Sequence, residues 1–492
     1  MELVEQARLS IQLLVLRCFL HWCSTMTHSS DTRSSFYLQR RELLRLGGLS
    51  VVGGSLPWMA TTRIKASDDR LPRRTARQVI FINLEGGMSQ LDSLDAKQGP
   101  WTPNYFDIQA CGNGLMLPVG VFPNLSKILD KVSVIRSMAA WDAVHGRAQY
   151  YIQTGHPLNP ALSKEVPAIG AVVCHELAND RRTTDSLPAY ISMNMSGNQA
   201  GLINNGFLSA EFGPLNLSFD KGPPDLAPRK EMAETMQRRW GRLQSLDQGL
   251  RQIQPGVDRS FVDYHQYYRG AWNIMNDPRV PDIFSINNDD KTRYGESTIG
   301  TSLALARNLL RADAGTRFIL ASHGGWDHHS DIYKPGTRNH PVLMSELDKA
   351  FTSLVLDLAA LPGSGDRSKS LLDETLIVCM SEFGRTPGEI SATRAGREHY
   401  IHAHCGMFVG GGIVHGGVIG QTDAVGGKIT DFGWSPGRPI YMEDVACTIY
   451  SAMGIDWTKK VEETPSGRAF HFVESASGTS YVDFQPIHEL FA

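Results

Sequence analysis

The sequence lacks an excess of charge of either sign: 48 Lys and Arg stand against 51 Asp and Glu, a formal net charge of -3 over 492 residues. Without a positive field there is little to neutralise a run of phosphates, which argues against a dedicated nucleic-acid binder. Paired cysteines are also missing. The seven, at 18, 23, 111, 174, 379, 405 and 447, are odd in number, scattered and without a Cys-x-x-Cys pair, so they encode neither a zinc knuckle nor a disulfide framework. Cys379 and Cys405 fall inside apolar runs, where a thiol acts as a small buried hydrophobe. There is no internal repeat, no long low-complexity tract, and no run in the expected mature chain that would make a stable transmembrane span. What is present is globular. A composition of 41% hydrophobic and 20% charged residues excludes disorder as the main state, and 47 Gly with 25 Pro predict many turns and long loops.

Near the start, Arg40-Arg41-Glu42-Leu43-Leu44-Arg45 precedes a weakly apolar, glycine-rich run from Leu46 to Ala60 that is too short for a stable span. This pattern resembles a twin-arginine export signal, which implies the matching export machinery as a partner and a periplasmic or extracellular destination. The mature chain is expected to begin between Ala60 and Arg70, and Met26 is the expected physiological start. Residues 1–65 are therefore read as extension and signal, 75–458 as one domain with a helical insertion at about 200–300, and 459–492 as a C-terminal tail.

Through the domain, short β-branched runs alternate with helical patterns, the signature of an α/β fold with a mostly parallel sheet covered by helices on both faces. Strands are predicted at Gln78 to Leu84, Lys131 to Arg136, Thr316 to Ala321, Thr375 to Met380 and Cys405 to Val409. Leu343, Leu347, Phe351, Leu354 and Leu358 recur as one helical stripe. In such sheets ligands bind beyond the carboxyl ends of the strands. The residues there are polar: Glu85-Gly-Gly-Met-Ser-Gln-Leu-Asp92, Ser322-His-Gly-Gly-Trp-Asp327-His-His329, and Ser381-Glu382-Phe-Gly-Arg385, followed by Gly396-Arg-Glu-His399-Tyr400. Gly410-Gly-Gly412 follows the last predicted strand.

Eight of the sixteen histidines lie between positions 323 and 415, under a fifth of the chain. Asp327, His329, Glu382 and His399 form a candidate ligand set of nitrogen and oxygen donors without thiolate. Such donors suit zinc, manganese or iron, and the carboxylates also suit magnesium or calcium. His328 should face away from His329 if the local chain is extended. Glu382 and Arg385 could equally be a structural ion pair. Gly86-Gly87 resembles a phosphate-cradling turn only loosely.

Together the Arg40-Arg41 pair, Glu85-Gly-Gly-Met-Ser-Gln-Leu-Asp92-Ser-Leu-Asp95, Arg293-Tyr-Gly295, Leu305-Ala-Arg307, Gly324-Gly-Trp-Asp-His-His329, Glu382-Phe-Gly-Arg-Thr-Pro387 and Gly410-Gly-Gly-Ile413 resemble the DUF1501 family, exported proteins of planctomycetes and related bacteria. The resemblance implies an alkaline phosphatase-like sandwich in the phosphatase and sulfatase superfamily. It places Glu85 on an Asp metal-ligand position, Asp327 at the start of the other metal's ligands with His329 nearby, and His399 on a late histidine ligand. Ser381-Glu382-Phe383-Gly384 falls on Ser-Asp-His-Gly, with Phe383 in place of a metal-binding histidine.

In that superfamily a Ser, Thr or Cys nucleophile stands nine residues before the Thr of a Thr-Gly pair. Here the pair is Thr154-Gly155 and the position holds His145, which could be nucleophile, ligand, general acid or a pocket hydrogen-bonder. The resemblance thus implies an exported, metal-dependent hydrolase of anionic sulfate or phosphate esters, with glycan esters as the substrate class. Glu85 or Glu382 would complete the metal shell, and Arg385 would grip the anion through its planar fork. The rival expectation is a non-catalytic binding or assembly protein of the envelope on the same fold.

Overall fold

The computed structural model describes residues 71–195, 200–219, 233–253, 259–474 and 482–491. The arginine pair, the expected start and the expected cleavage region lie outside the described residues. The core is an eight-stranded sheet. Its strands in chain order are β1 (Gln78–Asn83), β2 (Val132–Met138), β3 (Tyr190–Met193), β4 (Leu215–Leu217), β5 (Phe318–Ser322), β6 (Thr375–Met380), β7 (His404–Val409) and β8 (Val418–Ile419). Across the sheet they run β8-β2-β7-β6-β1-β5-β3-β4.

Every pairing is parallel except those of β7, which is antiparallel to both β2 and β6. The class is therefore the expected one, α/β with a mostly parallel sheet. The reversed strand corrects one expectation. The N-terminal end of β7, at His404, meets Met138 at the carboxyl edge of β2. Gly410 and Gly412 instead lie at the opposite edge, where added side chains would strike Thr375 and Thr75. The triple glycine is a packing device remote from the loops that follow β1, β5 and β6.

The period-two alternation of each strand sends side chains to two cores. Ile80, Ile82, Ile319, Ala321, Ile377 and Cys379 face helices α5 (Thr298–Ala312) and α6 (His340–Ala360). Val79, Phe81, Phe318, Leu320, Leu376 and Val378 face α1 (His145–Thr154), α2 (Ile169–Glu176) and α7 (Met442–Ala452). Covering both faces explains why β1 reads as a continuous apolar run rather than an alternation. The predicted stripe of five apolar residues is buried in α6. Asn339 caps that helix by accepting from the Val342 amide, and a proline in its first turn suits the start of a helix.

Between β4 and β5 the described residues contribute helices but no strand, chiefly α3 (Ala233–Ile253) and α4 (Arg259–Asn276). Between α5 and α6 sits a closed ion network. Asp357 accepts from Arg293 at 2.7 Å, Tyr294 at 2.8 Å and Arg307 at 2.9 Å, and Arg307 also donates to Asp290 at 2.8 Å. Within the stretch expected as a tail, Phe470–His471 pairs with Lys460–Val461, and Ile487 and Leu490 are fully buried. No helix among the described residues is long and apolar enough to cross a membrane.

Candidate metal centre

The carboxyl edges of β1, β2, β5 and β6 share one side of the sheet, and the loops leaving them meet there. The β5 loop brings Asp327 and His329. The β6 loop brings Glu382 and Arg385, and a short antiparallel pairing of Gly384–Arg385 with His399–Tyr400 sets His399 opposite Arg385. His145 is the first residue of α1, a short loop after β2.

The β1 turn makes this convergence possible. Gly86 has φ +116°, and a β-carbon there would stand 2.6 Å from the Asp327 amide nitrogen. A β-carbon on Gly87 would meet the Phe383 ring at 2.9 Å. Close backbone approach requires both glycines. In this structure that approach serves the packing of the loop that carries Asp327.

His145, Asp327, His329 and His399 each offer a ligand atom, and these atoms all lie within 4.8 Å of one another. The Nε2 atoms stand 3.2 Å (His145), 3.0 Å (His329) and 3.2 Å (His399) from Asp327. The other ring nitrogens are spoken for: His145 Nδ1 lies 2.8 Å from Glu382, His329 Nδ1 2.6 Å from Glu398, and His399 Nδ1 2.6 Å from the Ala143 carbonyl. Carboxylates and carbonyls only accept, so each Nδ1 carries a hydrogen, and an entering cation would take the place of any proton on Nε2.

Three Nε2 atoms thus converge on one carboxylate. His329 and His399 Nε2 are 3.0 Å apart, and the buried His145 Nε2 lacks a hydrogen bond of good geometry. The backing of each ring by an acceptor is what metal-bound histidines show. The four side chains fit a divalent metal. The Asp327 side chain is 38% exposed, which leaves the group open on one side.

The electrostatics agree. Burial opposes ionisation of Asp327, but hydrogen bonds with His145, His399 and Arg385 hold its carboxyl well below the usual carboxylate range. Burial alone would lower His145; its bonds to Asp327 and Glu382 outweigh that and lift it to about 9. Phe383, fully buried, forms an apolar wall against the His145 and His399 rings, with centroids at 4.9 and 4.6 Å.

Three expected site residues take other places. Glu85 lies outside the group of four and accepts a hydrogen bond from Ser322 Oγ at 3.0 Å. Glu382 also lies outside it. Its carboxylate accepts from the Gly86 amide at 2.9 Å and lies 2.8 Å from His145 Nδ1, behind the group. Arg385 is not the expected anion clamp. It is 1% exposed and donates to the Gly87 carbonyl at 3.0 Å, the Arg397 carbonyl at 3.0 Å, the Gly86 carbonyl and Asp327 at 2.6 Å. Its fork is consumed in holding the β1 turn and Asp327 together. His328 turns away toward the Arg338 carbonyl, 3.3 Å from Nε2.

Residues 76–480 match the sequence profile of the family described as "Protein of unknown function (DUF1501)". The chain belongs to the DUF1501 family. No curated protein matches this DUF1501 chain. Solved structures resemble it slightly. Ps i-CgsB in complex with k-i-k-neocarrahexaose is 11% identical with a TM-score of 0.38, over 77% of this chain and 72% of that one. A protein in the alkaline phosphatase superfamily from Vibrio parahaemolyticus is 12% identical with a TM-score of 0.35, over 80% and 72%. The phosphonate monoester hydrolase SpPMH from Silicibacter pomeroyi is 12% identical with a TM-score of 0.34, over 77% and 73%. Likeness this slight does not say what the DUF1501 chain binds.

Two supports of the centre escape a reading of the sequence. Glu398 orients His329 and stands directly before His399, so its adjacency was the available signal. The Ala143 carbonyl, as backbone, leaves no signal at all. Asp92, in the Glu85-Gly-Gly motif, is buried with Arg397 at 2.8 Å and Tyr333 at 2.6 Å; it fixes the loop before His399 and stays out of the centre.

Proposed function

We propose that the chain is an exported, metal-dependent hydrolase of sulfate or phosphate esters, with esters on glycans as its substrate class. The observation that carries this reading is the convergence of three histidine Nε2 atoms on Asp327, each ring backed by an acceptor. On this reading His145, Asp327, His329 and His399 hold the metal, so His145 is a ligand rather than a nucleophile. Three imidazoles with one carboxylate favour zinc or manganese over magnesium and calcium, which prefer all-oxygen shells.

When bound, a divalent cation supplies Lewis-acid polarisation of the ester and a lowered pKa for water. The chain's own part is to orient and to exclude. Glu382 and Glu398 fix the rings of His145 and His329, Arg385 fixes Asp327, and the Phe383 wall keeps one side dry. The N-terminal turn of α1 has no side-chain cap; the Arg147 and Ala148 amides bond the Val144 carbonyl, which leaves those of His145 and Gly146 for an anion. No hydroxyl or thiol heads that helix, so water is the attacking group.

A second reading, a non-catalytic binding or assembly protein of the envelope, is favoured by that same missing nucleophile and by Phe383 in a histidine's place. Elemental analysis of protein purified without a metal-binding tag separates the two, followed by a panel of sulfate and phosphate esters. About one transition metal per chain, lost in Asp327→Ala, together with turnover of a panel member, supports the hydrolase. A metal-free, inactive protein supports the binding reading.

A further inference from the structure

Beside the metal centre lies a cavity of about 640 Å³, inside the roughly 300–1,000 Å³ range of small-molecule sites. Both chain neighbours of His145, Val144 and Gly146, line it, so it opens off the same turn that carries a ligand histidine. Its lining has a definite chemistry. No Asp or Glu lines it among the described residues. Of its two cations, Arg147 is paired with Asp142, whereas Lys164 is exposed and forms no ion pair among the described residues.

Tyr150 also lines the cavity; it is 3% exposed, and its hydroxyl has no hydrogen-bond partner among the described residues. A buried hydroxyl without a partner is desolvated with nothing in return, a deficit that a ligand's polar group would remove. Around it, apolar Val144 and Leu202 alternate with polar Asn204. An acid-free lining that mixes apolar contacts with neutral hydrogen-bonding groups and one free ammonium matches a ring with hydroxyls along its rim, apolar C–H faces and an anionic substituent.

We infer that this cavity is the subsite for the sugar portion of a sulfated or phosphorylated glycan, with Tyr150 bonding a ring hydroxyl and Lys164 a second anionic substituent. The inference rests on the hydrolase reading and specifies which part of the substrate sits where. It assigns Tyr150 and Lys164 to recognition, away from the reacting bond.

Calorimetric titration of the metal-loaded full chain with a disulfated disaccharide, and separately with inorganic sulfate, tests it. Tyr150→Phe and Lys164→Gln should each weaken disaccharide binding by about tenfold and leave inorganic sulfate binding and metal content unchanged. Tyr150→Phe keeps the ring and its packing, and Lys164 is exposed, so at least the second variant remains folded if the first does not. Unaltered disaccharide affinity in the variants overturns the subsite while the hydrolase reading stands. So does a wild-type protein that binds sulfate but not the disaccharide. A wild-type protein that binds neither overturns both.

Discussion

Two clusters of acids and cations sit in this molecule, and they differ in what they lack. Between α5 and α6, Asp357 and Asp290 meet Arg293 and Arg307, two negative groups against two positive ones, and both Asp357 oxygens accept from cations. At the carboxyl edge of the sheet, Asp327 meets Arg385 and the Nε2 atoms of three imidazoles. The first cluster pairs its buried acids with its own cations. The second crowds three Nε2 atoms around one partly exposed carboxylate, a grouping of ligand atoms that suits a metal, whereas an ion pair closed on itself points to structure.

The largest effect expected from this contrast is in the open cluster. Asp327→Ala should abolish metal retention and lower any ester turnover by a factor of about 1,000 or more, as loss of a preorganised charge at a reacting centre does. Its melting midpoint should fall as well, because buried Arg385 loses its carboxylate partner and the metal's stabilisation goes with the ion, so metal per chain is the deciding readout and metal retained in the variant would break the contrast. The converse holds for the closed cluster. Arg307→Ala should cost about 3–5 kcal/mol, because it strands buried Asp290 and part of Asp357, yet leave metal per chain unchanged. Chemical denaturation with parallel metal analysis reads both.

A finer test lies one shell out. Glu398→Ala removes the acceptor behind His329, together with an exposed ion pair to Arg394, and should weaken metal affinity by about 10–100-fold while stoichiometry at saturating metal stays at wild-type level. Competition with a chelator of known affinity measures it.

The smallest effect concerns a third carboxylate that has donors but no cation. Glu443 accepts from Trp141 Nε1 at 3.1 Å and from the Tyr151 hydroxyl. Burial pushes its carboxyl up to about 8, against the opposing pull of these donors. The folded state therefore keeps a proton that the unfolded chain releases near 4.5. Stability from this group is full below that pH and is lost as pH rises toward about 8. Glu443→Gln should flatten the fall of melting temperature across that window, and an unchanged slope would show that Glu443 ionises freely.

Much of the fold was legible because burial on both faces writes itself into a strand. The predicted limits of β6 coincide with the observed ones, and those of β1, β2, β5 and β7 differ by one or two residues at either end. Three short strands were missed: β4 and β8 at the edges, only partly covered, and β3, buried but at four residues too short to stand out as an apolar run. The direction of β7 was equally hidden, since an apolar run reads the same in either orientation.

In the site, residue type revealed Asp327, His329 and His399, for a carboxylate and histidines after buried strands are uncommon without a purpose. Type could not separate Glu382 from a ligand, because only geometry shows its oxygens occupied by Gly86 and His145. Arg293, Tyr294 and Arg307 make the same point from the other side. They belong to the motifs that mark the family, and they build the closed ion network rather than the centre.

The position of β1 at the middle of the sheet bears on how the protein is made. Its six residues carry no charge and no proline, and both neighbours, Phe318–Ser322 and Thr375–Met380, emerge from the ribosome only after more than half the chain has been synthesised. Until then both edges of an apolar strand wait without their native partners, a surface suited to pairing with the wrong chain. The nascent protein therefore depends on shielding of this segment through most of translation, and synthesis that stalls before residue 318 leaves an aggregation-prone fragment rather than a partly working domain.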